Sequence, residues 1–258
     1  MRRAFVVLPL IALTACESPS VEWTDPVALG QAGAATRLIV DTGGNAHFAA
    51  EAASPAALPT AAGLCVSSVR TAVGSAHVYA VWWSVRPDSS ARLEAASSPD
   101  FGKTWGTATA VDTSDVSSNG CRRPPPAVAV VGDDLHLAYS MVAPEGTGVF
   151  FAHFMSSMLH SPVAVIYGER LVSTAIAADA ERVAVAYEEP NGTRRQVDVA
   201  ISSSQGHIFE WHATASRDID MASQPAVALA GHHLAVAWTT QRTADSTSTH
   251  VVRSGQIR

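Results

Sequence analysis

Histidine is the residue type in this chain that first suggests chemistry, because neutral imidazoles bind transition metals. His47, His77 and His136 occupy equivalent positions in a strand pattern that recurs along the sequence. Equivalent positions in successive repeats lie apart in space, so these side chains should not converge on one ion. The sequence has no His-x-x-His spacing and no paired-carboxylate spacing. We therefore predict structural histidines, no metal site and no cofactor.

Other chemical motifs are missing from the sequence as well. It has no glycine-rich phosphate loop, no Gly-x-Ser-x-Gly elbow and no Cys-x-x-Cys pair. The formal net charge is −6, from 17 basic and 23 acidic residues among 258. An acidic chain is a poor match for nucleic acid. We expect no nucleic-acid partner.

The first residues are typical of a secretory signal. Arg2 and Arg3 precede the apolar run Ala4–Leu13, and Leu13-Thr14-Ala15-Cys16 resembles a bacterial lipobox, whose cysteine becomes the lipidated first residue. Ordinary signal cleavage near a chance cysteine is the alternative. Lipidation of Cys16 would place the protein in the bacterial cell envelope, facing the periplasm or the surface, and anchored to a membrane.

These features divide the chain into three parts. Residues 1–15 are predicted to be the signal peptide. Residues 16–33 are predicted to be a lipidated segment that contains a closing strand. Residues 34–258 are predicted to form one all-β domain.

A strand–turn–strand unit recurs five times in this domain, and later copies are spaced by about 50 residues, the period of a propeller blade. The turns carry Gly44, Gly74, Gly132, Asp179 and Gly231. The paired strands are Arg37–Asp41 with Ala46–Glu51, Val69–Val73 with His77–Trp83, Ala127–Val131 with Leu135–Ser140, Ala175–Ala178 with Arg182–Glu188, and Ala226–Ala230 with Leu234–Thr239. The pattern predicts a β-propeller of five blades, or of six if Glu51–Leu64 contributes a further unit.

A propeller usually closes by pairing a terminal strand with its last blade, which also protects the edge from aggregation. Val21–Trp23, or the stretch through Leu29, is the predicted closing strand. Cys65 and Cys121 precede equivalent strands of adjacent units. In an oxidising compartment they are predicted to form a disulfide, and two buried free thiols are the alternative.

The eight residues from Ser98 to Trp105 carry the strongest motif. Ser98, Asp100, Gly102, Thr104 and Trp105 fit Ser-x-Asp-x-Gly-x-Thr-Trp at every defined position. The stretch resembles the Asp-box of bacterial neuraminidase (BNR) repeats, which are found in sialidase-like β-propellers. The aspartate can accept backbone hydrogen bonds, the glycine permits a positive φ, and the tryptophan can start the next strand and cover the hairpin. Ser202–Phe209 resembles a decayed copy with Ser204 at the aspartate position.

The resemblance to sialidases implies an arginine triad that binds the substrate carboxylate, a tyrosine nucleophile and an aspartate acid/base. Arg37 is the candidate for the first arginine, and Arg70, Arg122 and Arg123 are candidates for the others. The loop Ala52–Leu64, where the acid/base would be expected, contains no acidic residue. Tyr139, Tyr187 and Trp238 share one repeat position, which indicates core residues and not a unique nucleophile.

These observations favour a non-catalytic propeller that binds or scaffolds a protein, for example as a peripheral subunit of a membrane complex. The alternatives are an exo-sialidase-like glycoside hydrolase and a propeller that binds carbohydrate without hydrolysis. A preserved scaffold with an incomplete catalytic set is the reason for the preference.

Overall fold

A computed structural model of the chain describes residues 20–30, 36–50, 54–192, 195–217, 221–241 and 248–258. Cys16 and the predicted signal peptide lie outside the described residues, as does Glu51. The described residues form strands and turns, with one short 3-10 helix at Val66–Ser68. None of the described helices is long and apolar enough to cross a membrane.

Strands follow one another along the whole described chain. The first eight are β1 (Val21–Trp23), β2 (Val27–Gly30), β3 (Thr36–Val40), β4 (Ala46–Ala50), β5 (Arg70–Val73), β6 (Val78–Val85), β7 (Ala91–Ser98) and β8 (Thr109–Asp112). The next eight are β9 (Ala127–Val131), β10 (Asp134–Ala143), β11 (Gly146–Met155), β12 (Met158–Gly168), β13 (Thr174–Ala178), β14 (Val183–Glu188), β15 (Val197–Ser202) and β16 (Trp211–Thr214). The last three are β17 (Ala222–Ala230), β18 (His233–Gln241) and β19 (Ser248–Ile257).

The described strands form five antiparallel sheets, which we number as blades. Blade I contains β3 and β4, blade II β5–β8, blade III β9–β12, and blade IV β13–β16. Blade V contains β17–β19 together with β1 and β2. The first strand of each blade contacts the first strand of the next from β5 through β9 and β13 to β17, and β17 contacts β3. The blades are therefore arranged around a common axis, as in the predicted β-propeller.

The segment proposed as a sixth unit does not form a sheet in its described part. Residues 54–64 run as turns and irregular chain, and Leu64 makes one isolated bridge to Ser84 of blade II. Five blades are thus present among the described residues.

Blade V is completed by the amino-terminal strands. Val21 lies opposite Ile257 and Trp23 opposite Gly255 in the pairing of β1 with β19. β2 pairs with the same strand, Val27 lying opposite Val252. Both segments offered by the sequence as closing strands therefore join the last blade, which gives the outer edge of β19 hydrogen-bond partners.

The hydrophobic core lies between successive blades. Trp83, Tyr139, Tyr187 and Trp238 occupy matching places in the second strands of blades II to V, and each is at most 1% exposed. Trp83 and Tyr139 belong to the cluster between blades II and III and meet edge to face, with ring centroids 6.0 Å apart. Large aromatic side chains at one repeat position fill the gap between sheets, which explains the recurrence of the aromatic in the sequence.

The fourth strands of blades III and IV were not predicted. β12 and β16 lie at the outer edge; the side chains of β16 alternate between half-buried and exposed, and in β12 only Val165 is buried. The short β16 has no buried side chain and therefore a weak hydrophobic pattern. The apolar run Val163–Tyr167 of β12 was a usable signal that the predicted strand pairs did not include.

A disulfide joins Cys65 and Cys121, with Cα atoms 5.4 Å apart. It links the segment before β5 to the segment before β9, so it fastens blade II to blade III. The bond closes a loop with a sequence separation of 56 residues. A loop of this size stabilises the folded state by roughly 4 kcal/mol in the chain-entropy account.

Candidate functional site

The four arginines proposed as carboxylate ligands all lie at or just before the first strands of blades. Arg37 is in β3 and is exposed, and Arg70 begins β5. The Arg70 Nη1 donates hydrogen bonds to the carbonyls of Ser67 and Val69 at 3.2 and 2.8 Å. These bonds hold the Arg70 side chain against the 3-10 turn that precedes its strand.

Arg122 and Arg123 precede β9 and differ completely in environment. Arg122 is exposed, whereas the Arg123 side chain has no exposed surface. The Arg123 Nε and Nη2 donate to the two carboxylate oxygens of Asp115 at 3.0 and 2.8 Å. Its guanidinium also donates to the carbonyls of Ser117 and Gly120. The Arg123 guanidinium is therefore bound on several sides by the protein itself.

The repeat tyrosines are also bonded internally. The Tyr139 hydroxyl donates to Asp112 at 2.7 Å, and the Tyr187 hydroxyl lies 3.0 Å from His212 Nδ1. Burial raises the pKa of Tyr139 well above its ordinary value, and the Asp112 carboxylate adds to the effect. Burial likewise raises the pKa of Tyr187. A phenol that resists ionisation in a dry interior is a poor nucleophile.

The turn Ser98–Trp105 has the hydrogen bonds that its sequence predicts. Gly102, at φ +81°, donates its N–H to Ser98 Oγ at 2.7 Å. Asp100 accepts from the Thr104 N–H at 2.8 Å and from the Thr104 hydroxyl at 2.7 Å. These bonds, together with one from the Ser98 hydroxyl, lower the pKa of Asp100 to about 2.

Trp105 does not start the next strand, contrary to the prediction, but it does pack against Ala80, Trp82 and Ala96 of the β6–β7 hairpin. It lies outside any strand, four residues before β8 begins at Thr109. Its Nε1 donates to the Ala57 carbonyl at 3.1 Å, and the Ala56 N–H donates to the Phe101 carbonyl at 3.0 Å. The turn is thus fixed to the segment that precedes blade II, because the tryptophan finds both apolar contacts and a carbonyl there.

The turn Ser202–Phe209, between β15 and β16, repeats this geometry. Ser202 Oγ accepts from the Gly206 N–H at 2.9 Å, as Ser98 does from its glycine. Ser204 Oγ accepts from the Ile208 N–H at 3.3 Å, in the place of the aspartate carboxylate. Gln205 and Gly206 have φ of +55° and +90°, close to the values at Phe101 and Gly102. The serine substitution therefore weakens the turn without changing its shape.

This second turn is seated on blade III. A Cβ on Gly206 would come within 2.1 Å of the Phe151 ring, so only glycine permits this approach. Phe209 meets the same ring edge to face at 5.4 Å between centroids. The Gln205 carbonyl lies 3.1 Å from Nδ1 of His153, a residue of β11. Apolar and polar contacts together fix blade IV to the outer half of blade III.

The contact between the two blades brings three histidines together. His153 lies opposite His160 in the pairing of β11 with β12, and His207 comes from the seated turn of blade IV. One ring nitrogen of each lies within 4.8 Å of the others. Ring centroids are 4.5 Å apart for His153 and His160, and 5.0 Å apart for His153 and His207. His153 is buried, His160 half-buried and His207 exposed, so the cluster opens to solvent on one side.

Burial and neighbouring imidazoles disfavour the charged form of the buried member of this cluster, His153. Burial lowers the pKa of His153, and the nearby imidazoles of His160 and His207 lower it further. His136, opposite His153 on β10, is a fourth histidine behind the cluster, and burial lowers its pKa to about 4. Neutral imidazoles have a lone pair to offer, as a metal ligand must.

The sequence prediction considered other histidines and missed this group. His47 is exposed on blade I, and His77 lies 3.7 Å from Asp133 of the neighbouring blade. A usable signal was nevertheless present. His153 and His160 are placed symmetrically about the two-residue turn Ser156-Ser157, which predicts a cross-strand pair. The approach of His207 could not be read from strand pattern, since it depends on how two blades pack.

Comparison with known proteins assigns no family to this chain. A scan against protein-family models and a search of curated proteins both find no match to this sequence. Among solved structures, a protein of unknown function from Dyadobacter fermentans aligns over 73% of this chain and 52% of its own, with 13% identity and a TM-score of 0.53. The chain therefore spans about half the length of that protein.

Weaker structural similarities were also found. A subtype N11 neuraminidase-like protein of a flat-faced bat strain from Peru aligns over 73% of this chain and 62% of its own, with 9% identity and a TM-score of 0.47. The arabinanase Arb43A of Bacillus subtilis aligns over 73% of this chain and 71% of its own, with 12% identity and a TM-score of 0.44. Neither similarity assigns a family or an activity to this chain.

Proposed function

We propose that this chain is a non-catalytic β-propeller that binds a protein partner as a peripheral subunit of a membrane complex. The internal bonding of Arg123 is the observation that carries the proposal. Its guanidinium holds the buried carboxylate of Asp115 and two backbone carbonyls, so it serves the interior of the protein. The buried, hydrogen-bonded phenols of Tyr139 and Tyr187 also support a non-catalytic role.

An exposed apolar surface next to the first turn is the proposed contact with the partner. We call the exposed side chains of Leu58 and Phe101 the turn patch; they are 47% and 42% exposed. One backbone hydrogen bond, from the Ala56 N–H to the Phe101 carbonyl, joins the two segments that carry the patch. Aromatic side chains such as Phe101 are enriched at the centres of protein interfaces.

The position of Phe101 allows a sharp test. Its φ is +59°, a region that asparagine adopts more readily than most side chains. Phe101→Asn should therefore remove the ring while it leaves the turn and the thermal stability intact. Ile208→Thr, at a residue that is 64% exposed in the second turn, is the matched control. Affinity capture from gently solubilised membranes, through a carboxy-terminal tag, should recover a stoichiometric partner with the wild type and the control but not with Phe101→Asn.

Catalysis is the competing function, and it has its own assay. No turnover of a fluorogenic sialoside is expected from the purified chain. Turnover that is abolished by Arg37→Ala would overturn the proposal in favour of a sialidase-like hydrolase. Saturable binding of the sugar without turnover, lost in the same variant, would favour a carbohydrate-binding propeller.

The cellular location is part of the proposal. Lipidation of Cys16 would hold the propeller at a membrane of the cell envelope, because several acyl chains on one residue give durable anchoring. The variant Cys16→Ser should move the protein from the membrane fraction to the soluble fraction. Retention of this variant in the membrane fraction would contradict the lipid anchor.

A further inference from the structure

We propose that His153, His160 and His207 form a binding site for a divalent transition-metal cation of the zinc class, which fastens blade III to blade IV. The proposal is independent of the partner-binding function. It rests on the convergence of three ring nitrogens within 4.8 Å of one another, from two strands of one blade and a turn of the next.

His153 is held as a metal ligand would be. A carbonyl oxygen can only accept a hydrogen bond, so the 3.1 Å contact with Gln205 places the proton on His153 Nδ1. The lone pair is then on Nε2. Metal-binding histidines commonly donate their second ring N–H to a backbone carbonyl, which fixes the tautomer and the ring orientation.

The remaining nitrogen of His153 needs a partner. Among the described residues, Nε2 of His153 is buried and makes no hydrogen bond. Buried polar atoms are rarely left without a partner, and each such case calls for an explanation. A cation between His153, His160 and His207 would supply that partner.

The distances are compatible with a metal after a small movement. Tetrahedral zinc with Zn–N bonds of about 2.0–2.1 Å requires ligand nitrogens roughly 3.3 Å apart. The rings must therefore close by an ångström or so. His207 is exposed and His160 half-buried, so both side chains have room to rotate, while His153 stays fixed.

The ligand set defines the class of cation. Neutral imidazoles suit zinc, copper and nickel, whereas calcium and magnesium prefer oxygen ligands. Three histidines leave a fourth position of a tetrahedral site for water or another small ligand. The structural consequence is clear from the blade order: the disulfide fastens blade II to blade III, and the metal would fasten blade III to blade IV.

The test is metal titration of the full chain, purified without a polyhistidine tag and stripped with a chelator. Calorimetric titration with zinc chloride should show one saturable site, and zinc should raise the thermal midpoint. His207→Ala removes an exposed ligand with little risk to folding, and it should weaken zinc binding by about 100-fold or more, since even second-shell changes cost 10–100-fold. His160→Ala should have a similar effect.

His47→Ala is the matched control, because His47 is an exposed histidine on blade I. It should bind zinc as the wild type does. The proposal is overturned if the wild type shows no saturable zinc binding, or if His207→Ala binds zinc with unchanged affinity. Loss of binding in His47→Ala with retention in His207→Ala would also overturn it, because the site would then lie elsewhere.

Discussion

Substitution of Arg123 tests whether this arginine stabilises the folded protein or binds a ligand. Arg123→Ala would leave the Asp115 carboxylate, whose side chain is 1% exposed, buried without its cation. Removing one partner of a buried ion pair typically costs about 3–5 kcal/mol. The carbonyls of Ser117 and Gly120 would also lose donors, and Trp83 would lose the guanidinium whose central carbon lies 5.9 Å from its ring centroid.

The expected loss is a large share of the whole stability, because domains are stable by only about 5–15 kcal/mol. Urea denaturation followed by tryptophan fluorescence should show a clearly lower midpoint for Arg123→Ala. Arg122→Ala is the control. Arg122 is the exposed neighbour, and substitutions at such surface positions usually change the free energy of unfolding by less than about 0.5 kcal/mol.

A double-mutant cycle isolates the ion pair. The double variant Asp115→Ala with Arg123→Ala should be less destabilised than the two single changes added together, because it leaves no unpaired buried charge. Additive effects, or a loss below 1 kcal/mol for Arg123→Ala, would refute the reasoning. A sialoside-binding defect in Arg123→Ala at unchanged stability would assign the residue to a ligand instead.

Three further predictions concern the joints between blades and one buried carboxyl. Gly206→Ala should destabilise more than Gly231→Ala in urea melts. Both have a positive φ, which costs about 1–2 kcal/mol for alanine, but only at Gly206 does the new Cβ meet a phenylalanine ring, at 2.1 Å; equal losses would argue against the tight seat. Replacing Cys65 and Cys121 together by serine should lower the free energy of unfolding by roughly 4 kcal/mol, and an unchanged urea midpoint would contradict a disulfide in the folded protein. Burial raises the pKa of Asp198 to about 6 from 3.8, so the folded state binds this proton more tightly than the unfolded state. Stability should therefore fall as pH rises from about 4 to 6, and melts of Asp198→Asn across this range should show a flatter profile; an identical profile would place the titration elsewhere.

Much of the fold could be predicted from local sequence. The internal hydrogen bonds of the turn Ser98–Trp105 could be predicted, because they join residues no more than four apart in the chain, whereas its bonds to Ala56 and Ala57 could not. The paired strands and buried aromatics could also be predicted, since strand alternation and turn chemistry act over short distances. The outer strand β16 could not, because its four residues include no buried side chain, whereas the apolar run Val163–Tyr167 of β12 was a usable signal.

The surroundings of the candidate site residues could not be predicted from local sequence. Arg122 and Arg123 are adjacent and chemically identical, yet one is exposed and the other is buried against Asp115. No local pattern distinguishes them, because the difference depends on where the chain between residues 115 and 123 folds back. The sequence offered both as ligands, and the structure shows that one has an internal role.

The sequence by itself determined the blades: a repeated strand pair, an aromatic at one position, and turns that need glycine or aspartate. Only the tertiary structure decided which side chains meet across blades. His153 and His207 are 54 residues apart and come together because Gly206 permits a close approach to Phe151. The residue pattern within a blade follows the two-residue period of a β-strand and the burial of its side chains. The contacts between blades depend on how the side chains of neighbouring blades fit together. The sequence therefore predicted a propeller, and the packing of its blades produced the three-histidine cluster.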